Sequence, residues 1–263
     1  MVNQAENHVT PADDRASTTQ PKQTKQITRL KLSARWVQRV LLIITAIFTT
    51  LSLIGILAIY NPFFEKFRRL FEFDQEQSIS TWYSGALLLL GSIIVAVIAQ
   101  DHIRRKRPYA RHWLYLSLIF TLMSLDEVAG LHEQLIQFGD AFNTSGIFLF
   151  AWVIPGLVIV TGFAIAYFKF TLNLPAEIRF MFVFSLGLFV FGAVGMEMVN
   201  GAFLSYTDVE SPIPYILLTT LEETLEKVGI VLFIGIMLKY LQDYCTIASR
   251  FDDRIPVQTT TGD

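Results

Sequence analysis

Three stretches that otherwise read as membrane spans carry acids. They are Ser124-Leu125-Asp126-Glu127 with Leu131-His132-Glu133, then Glu197 with Asn200, then Thr219-Thr220-Leu221-Glu222-Glu223-Thr224-Leu225-Glu226-Lys227. A charged side chain near the middle of a membrane helix costs about 2.5–3.5 kcal/mol on insertion scales. Six or seven such groups would cost about as much as the whole stability of a domain unless they were paired, protonated, hydrated or metal-bound. The three stretches are therefore where chemistry is expected.

The residue types narrow that chemistry. An oxygen-rich set with at most one imidazole suits hard divalent cations, Fe(II), Mn(II), Mg(II) or Ca(II), and a single histidine argues against a catalytic zinc site. Asp126, Glu127, His132, Glu197, Glu222 and Glu226 are the candidate metal ligands, with Glu223 and Glu133 as candidate proton carriers. Lys227, four residues after Glu223, can neutralise one acid, and a protonated His132 one more. The paired Glu-x-x-His motifs of carboxylate-bridged di-iron bundles are absent, so that precedent is partial. So are a glycine-rich phosphate loop, a His-Glu-x-x-His helix and a dinucleotide fingerprint. Cys245 is the sole cysteine, which excludes an intrachain disulfide and a cysteine cage.

The elements that must hold these acids read as membrane helices. Hydrophobic residues make up 52% of the 263, including 22 Phe, which places the chain among polytopic membrane proteins. We expect an all-α bundle of six transmembrane helices at about 39–60, 80–100, 112–136, 147–168, 179–202 and 214–240. The expected organisation is a disordered polar and basic tail at 1–35, a membrane domain at 36–241 and a loose tail at 242–263. No cleavable leader is expected, because the first apolar stretch begins near residue 38 and is too long. The run 63–71, with Phe63, Phe64, Phe67, Leu70 and Phe71 on one face, has the pattern of a helix lying in the interface.

Charge sets the orientation. The connection from Asp101 to Arg111 holds five basic residues against one acid, and span one starts from a basic flank, so both are expected in the cytoplasm. Six spans then leave both termini cytoplasmic, in a multi-pass protein of a bacterial inner membrane. The outer loops at 137–146 and 203–213 contain Asp140, Asp208 and Glu210 and no basic residue, whereas Lys66, Arg68 and Arg69 sit in the least consistent outer connection.

Spans three and five run outward and span six runs back, which brings all the carboxylates to one level near the outer face. At about 100° per residue, Thr219, Glu222, Glu223 and Glu226 line one stripe of span six. Asp126 and Glu133, seven apart, share a face of span three with Glu127 and His132 flanking it on opposite sides, and Gly130 permits the bend that all four would need to meet. Glu197 shares its side with Ala193, Asn200 and Gly201, small residues that let a neighbour approach. Trp152 and Pro155 read as lipid-facing or packing residues, and His112 as separate from the site.

Three functional readings follow. The first is a membrane metalloenzyme, hydrolase or oxidase, whose divalent metal activates water or oxygen for a lipid or periplasmic substrate. The second is a cation- or proton-coupled transporter using the same acids, although no internal repeat is visible. The third is a non-catalytic assembly or sensor protein. The expected partners are the lipid bilayer and a small-molecule, lipid or ion substrate, and nucleic acid is not among them.

Overall fold

The computed structural model describes residues 33–59, 61, 63, 68, 70–71, 78–131, 144–207 and 211–245. All regular structure among the described residues is helical. The α-helices are α1 (Ala34–Gly55), α2 (Ile79–Arg104), α3 (Ala110–Ala129), α4 (Val153–Asn173), α5 (Ala176–Val190), α6 (Glu197–Tyr206) and α7 (Ile213–Tyr244). A π-helical turn at Phe191–Met196 joins α5 to α6, so the described helices form six rods. Short 3₁₀ turns follow α1 at Ile56–Ile59 and precede α4 at Gly146–Phe148.

Four rods are long and apolar enough to cross a membrane: α1, α2, α4 and the continuous Ala176–Tyr206. The two that fall short of that apolarity, α3 and α7, carry Asp126, Glu127 and the Glu222 cluster. The acids of α7 lie inside the bundle, whereas α3 packs mainly on α2, keeps Leu118, Leu122, Leu125 and Val128 exposed, and holds Asp126 and Glu127 half-buried. Helix α7 packs against α1, α2, α5 and α6, and it buries Ile230, Val231, Phe233, Ile234 and Met237 at its centre. A core of Trp113, Leu116, Phe120, Phe170, Phe182 and Phe233 joins it to α3, α4 and α5.

Small and hydroxyl residues make these contacts, as expected where lipid offers no hydrophobic contrast between helices. Helix α1 meets its neighbours through Thr45 with Tyr83 at 3.1 Å, Thr49 with Thr224 at 3.0 Å and Ser52 with Thr220 at 3.4 Å. Between α2 and α3, Ser92 Oγ donates to the Ser117 carbonyl at 2.8 Å and lies 2.7 Å from Thr121 Oγ1. Ser124 Oγ donates to the Gly85 carbonyl at 2.8 Å. A Cβ on Gly85 would lie 2.8 Å from Val128 Cγ2, so the closeness of this pair depends on glycine.

Several boundaries differ from the sequence reading. Span three is interrupted at Gly130: α3 ends at Ala129, and Gly130 caps it in the left-handed conformation at φ 57°, its N–H bonded to the Asp126 carbonyl at 2.8 Å, while 132–136 lie outside the described residues. Glu133, expected to share a face with Asp126, lies outside the described residues. Span four is displaced along the chain, because Gly146–Phe148 forms a separate turn and α4 starts at Val153. Residues 242–244, expected to be loose tail, continue α7. The tails at 1–32 and 246–263, most of the expected interfacial helix at 63–71, and Asp140, Asp208 and Glu210 lie outside the described residues.

Candidate functional site

Two glycines bring α5 and its π turn against α7 with the backbones touching. A Cβ on Gly192 would lie 2.7 Å from Glu226 Cγ, 3.0 Å from Glu226 N and 3.1 Å from the Glu222 carbonyl oxygen. One on Gly229 would lie 2.7 Å from Phe189 N and 2.9 Å from the Ser185 carbonyl oxygen. Where the π turn inserts its extra residue, everything after it rotates by about 100° relative to an uninterrupted α-helix. That turn separates Ala193 from the register of Glu197 and Asn200, which the sequence pattern had put on one side.

The acids then meet across helices. Asn200, 1% exposed on α6, donates its Nδ2 to Glu222 Oε2 on α7, where Glu222 is itself 8% exposed. Glu197 lies within hydrogen-bonding reach of Glu222, and Glu223 and Glu226 stand close enough to act on it electrostatically. Glu127, from the last turn of α3, is similarly close to Glu226. Lys227 is fully buried and pairs with Glu223 one turn earlier on α7, and its charge also reaches Glu226. Trp152, at the start of α4, donates its indole Nε1–H to Glu197 Oε1 at 3.0 Å. Five carboxyl groups from three helices and one lysine thus occupy one region.

Asn200 Oδ1 is buried beside Glu222 and has no hydrogen-bond partner among the described residues. A buried amide oxygen left unsatisfied costs about 1–3 kcal/mol, so it favours a donor or a cation next to the carboxylates. Among the described residues, however, no three of His, Cys, Asp and Glu form a group arranged to hold a metal ion.

The candidate residues from the sequence are therefore distributed as follows. Glu127, Glu197, Glu222, Glu223 and Glu226 come together. Asp126 is half-buried on the last turn of α3. His132 and Glu133 lie outside the described residues. Sequence reasoning placed Asn200 on the right helix without giving it a partner, and it took Trp152 for a packing residue. For Trp152 the available signal was an indole N–H near the apolar end of a span, which needs an acceptor when buried.

Such a fold, all-helical among the described residues with four helices able to cross a bilayer, defines a multi-pass membrane protein. Residues 41–240 match the family model described as "Domain of unknown function (DUF8692)", and the chain belongs to that family. No curated protein and no solved structure matches it.

Proposed function

We propose that the protein is a proton- or cation-coupled membrane transporter whose working centre is the Glu222 cluster. One observation carries this reading: Glu222, nearly sealed from solvent, is held by Asn200 and surrounded by Glu197, Glu223 and Glu226 with Lys227 as the adjacent cation. A buried group with more carboxyls than cations is stable only when protons or bound cations supply the difference. Loading and unloading that balancing charge is then the functional step. Glu222 would bind it, Asn200 and Trp152 would orient the carboxyls, and Glu223 with Lys227 would fix the local charge. Six spans with both termini on the inner side of a bacterial inner membrane complete this proposal, placing the cluster nearer the outer face.

A second reading is favoured by the unsatisfied Asn200 Oδ1. An amide oxygen beside carboxylates is a hard ligand, and with His132 and Glu133 the same acids would hold a divalent metal in a membrane enzyme, with Glu133 or Glu223 carrying a proton. Asp126 would join that set.

Purified protein in proteoliposomes enclosing a pH-sensitive dye tests the first reading, in parallel with elemental analysis of the same preparation. Proton or cation uptake that is abolished by Glu222→Gln supports the transporter. Absence of flux, together with a stoichiometric divalent metal lost in Glu222→Gln and Glu226→Ala, would replace it with the metalloenzyme.

A further inference from the structure

A second polar region sits at the opposite end of α7 from the acids. The chain between α2 and α3 is a short basic loop that bends through two non-glycine residues in the left-handed conformation, Lys106 at φ 53° and Tyr109 at φ 61°. Such backbone is disfavoured for residues with a Cβ and is retained where surrounding structure demands it. Here the bend lays Arg107 across the end of α7. Its guanidinium donates to the Tyr244 carbonyl at 2.8 Å and lies 3.5 Å from Asp101 Oδ2.

Beneath it is a cavity of about 140 Å³, lined among others by Arg107, Tyr109, Trp113, Asn173, Tyr240 and Tyr244. That is about the size of a cavity that holds one benzene-sized molecule. His102, 6% exposed, forms part of the wall and is already engaged, with Nδ1 donating to the Pro108 carbonyl at 3.3 Å and Nε2 3.0 Å from the Tyr240 hydroxyl. Among the described lining residues Arg107 is the formally charged group, the other polar side chains are an amide, an imidazole, an indole and hydroxyls, and none is a carboxylate. The run from Asp101 to Arg111 adds four further basic residues, Arg104, Arg105, Lys106 and Arg111, against the one acid Asp101. The walls are aromatic, and the cavity lies where α2, α4 and α7 end, the level at which membrane helices meet headgroups.

We propose that this cavity is a binding site for a phosphate ester, its anion held by the Arg107 fork and the Asn173 amide and its carbon portion lying against Trp113 and Tyr240. Planar, bidentate recognition of phosphate is what a guanidinium does best, and Arg107 keeps N–H groups beyond those already used. A phospholipid headgroup and a soluble phosphate ester share this chemistry. The proposal is independent of the Glu222 cluster and of the orientation of the chain.

The test uses the full chain in detergent, with native mass spectrometry scoring retention of added phosphatidylglycerol against uncharged diacylglycerol, and glycerol 3-phosphate as competitor. Phosphatidylglycerol should be retained by the wild type and weakened at least tenfold by Arg107→Gln. Asn173→Phe, which fills the cavity from an exposed position and leaves the ties of Arg107 alone, should weaken it equally. Arg104→Gln, in the same basic run but outside the lining, should change it less than threefold. Retention without competition assigns the site to a lipid headgroup, and displacement by glycerol 3-phosphate assigns it to a soluble ester. Equal losses in Arg104→Gln and Arg107→Gln, or wild-type retention in Asn173→Phe, would overturn the proposal, leaving only diffuse surface charge.

Discussion

Replacing Gly192 by alanine tests whether α5 and α7 touch at the acidic cluster. The new Cβ would stand 3.0 Å from Glu226 N and 3.1 Å from the Glu222 carbonyl oxygen. Ordinary contact begins near 3.4 Å, so the two helices must separate by roughly 0.4 Å, and neither opposing atom belongs to a side chain that could rotate away. Overpacking of this kind costs about 1–3 kcal/mol. Gly187, one to two turns earlier in the same rod, is the control, since a Cβ there meets nothing within 4 Å. Both substitutions gain up to about 1 kcal/mol of helix propensity, so the difference between them isolates the contact. At about 2–4 °C per kcal/mol for a chain near this size, thermal unfolding in detergent should place Gly192→Ala some 2–12 °C below Gly187→Ala. The Gly187 variant should match or exceed the wild type. Equal melting temperatures for the two variants would show that the backbones are not in contact there, and the juxtaposition of Glu222, Glu226 and Glu197 would lose its structural basis.

Glu222→Gln keeps the shape and the acceptor for Asn200 while removing a buried acid, so it should leave the melting temperature unchanged or raised. Asn200→Leu strips Glu222 of its amide donor and should cost about 1–3 kcal/mol; a neutral Asn200→Leu would mean the pair does not form. Lys227→Met removes the fully buried partner and leaves Glu223, 24% exposed, without its cation; it should destabilise, by less than the roughly 3–5 kcal/mol of a fully buried pair. The double variant Lys227→Met/Glu223→Gln should cost clearly less than the sum of the single changes, and strict additivity would deny the coupling. Burial, followed by the neighbouring Asp101 carboxyl, pushes the Cys245 thiol from 9.0 up to about 11. Because only the thiolate reacts, its population at pH 8 falls about 100-fold below that of an ordinary thiol, and maleimide labelling should be slow until well above that pH. With that silent background, Ser211→Cys should react with an impermeant external maleimide in intact cells if 203–213 is an outer loop, and protection of Ser211→Cys would reverse the proposed topology.

Local pattern alone was sufficient for much of this protein. Long apolar runs cannot leave backbone amides unpaired in lipid, so they form helices whatever their neighbours, and α1, α2, α4 and the Ala176–Tyr206 rod follow directly. The i, i+4 spacing of Glu223 and Lys227 likewise requires nothing beyond α-helical geometry to become an ion pair. The termination of α3 at Gly130 was ambiguous, since a glycine in a span can bend a helix or cap it, and only the left-handed φ distinguishes the two.

Tertiary structure decided what the acids face. The π turn at Phe191–Met196 rotates Glu197 and Asn200 after a register that periodicity treats as continuous. The closeness of Gly192 to Glu226 sets how near two helices lie, a distance that no single-helix pattern contains. Trp152 reaches Glu197 from a helix start displaced from its expected place, and Arg107 reaches Tyr244 across more than a hundred residues through a loop with two left-handed bends. Sequence periodicity reports which residues share a face of one helix. Which faces meet, and at what distance, depends on how the whole set of helices packs together, and that information exists only in three dimensions.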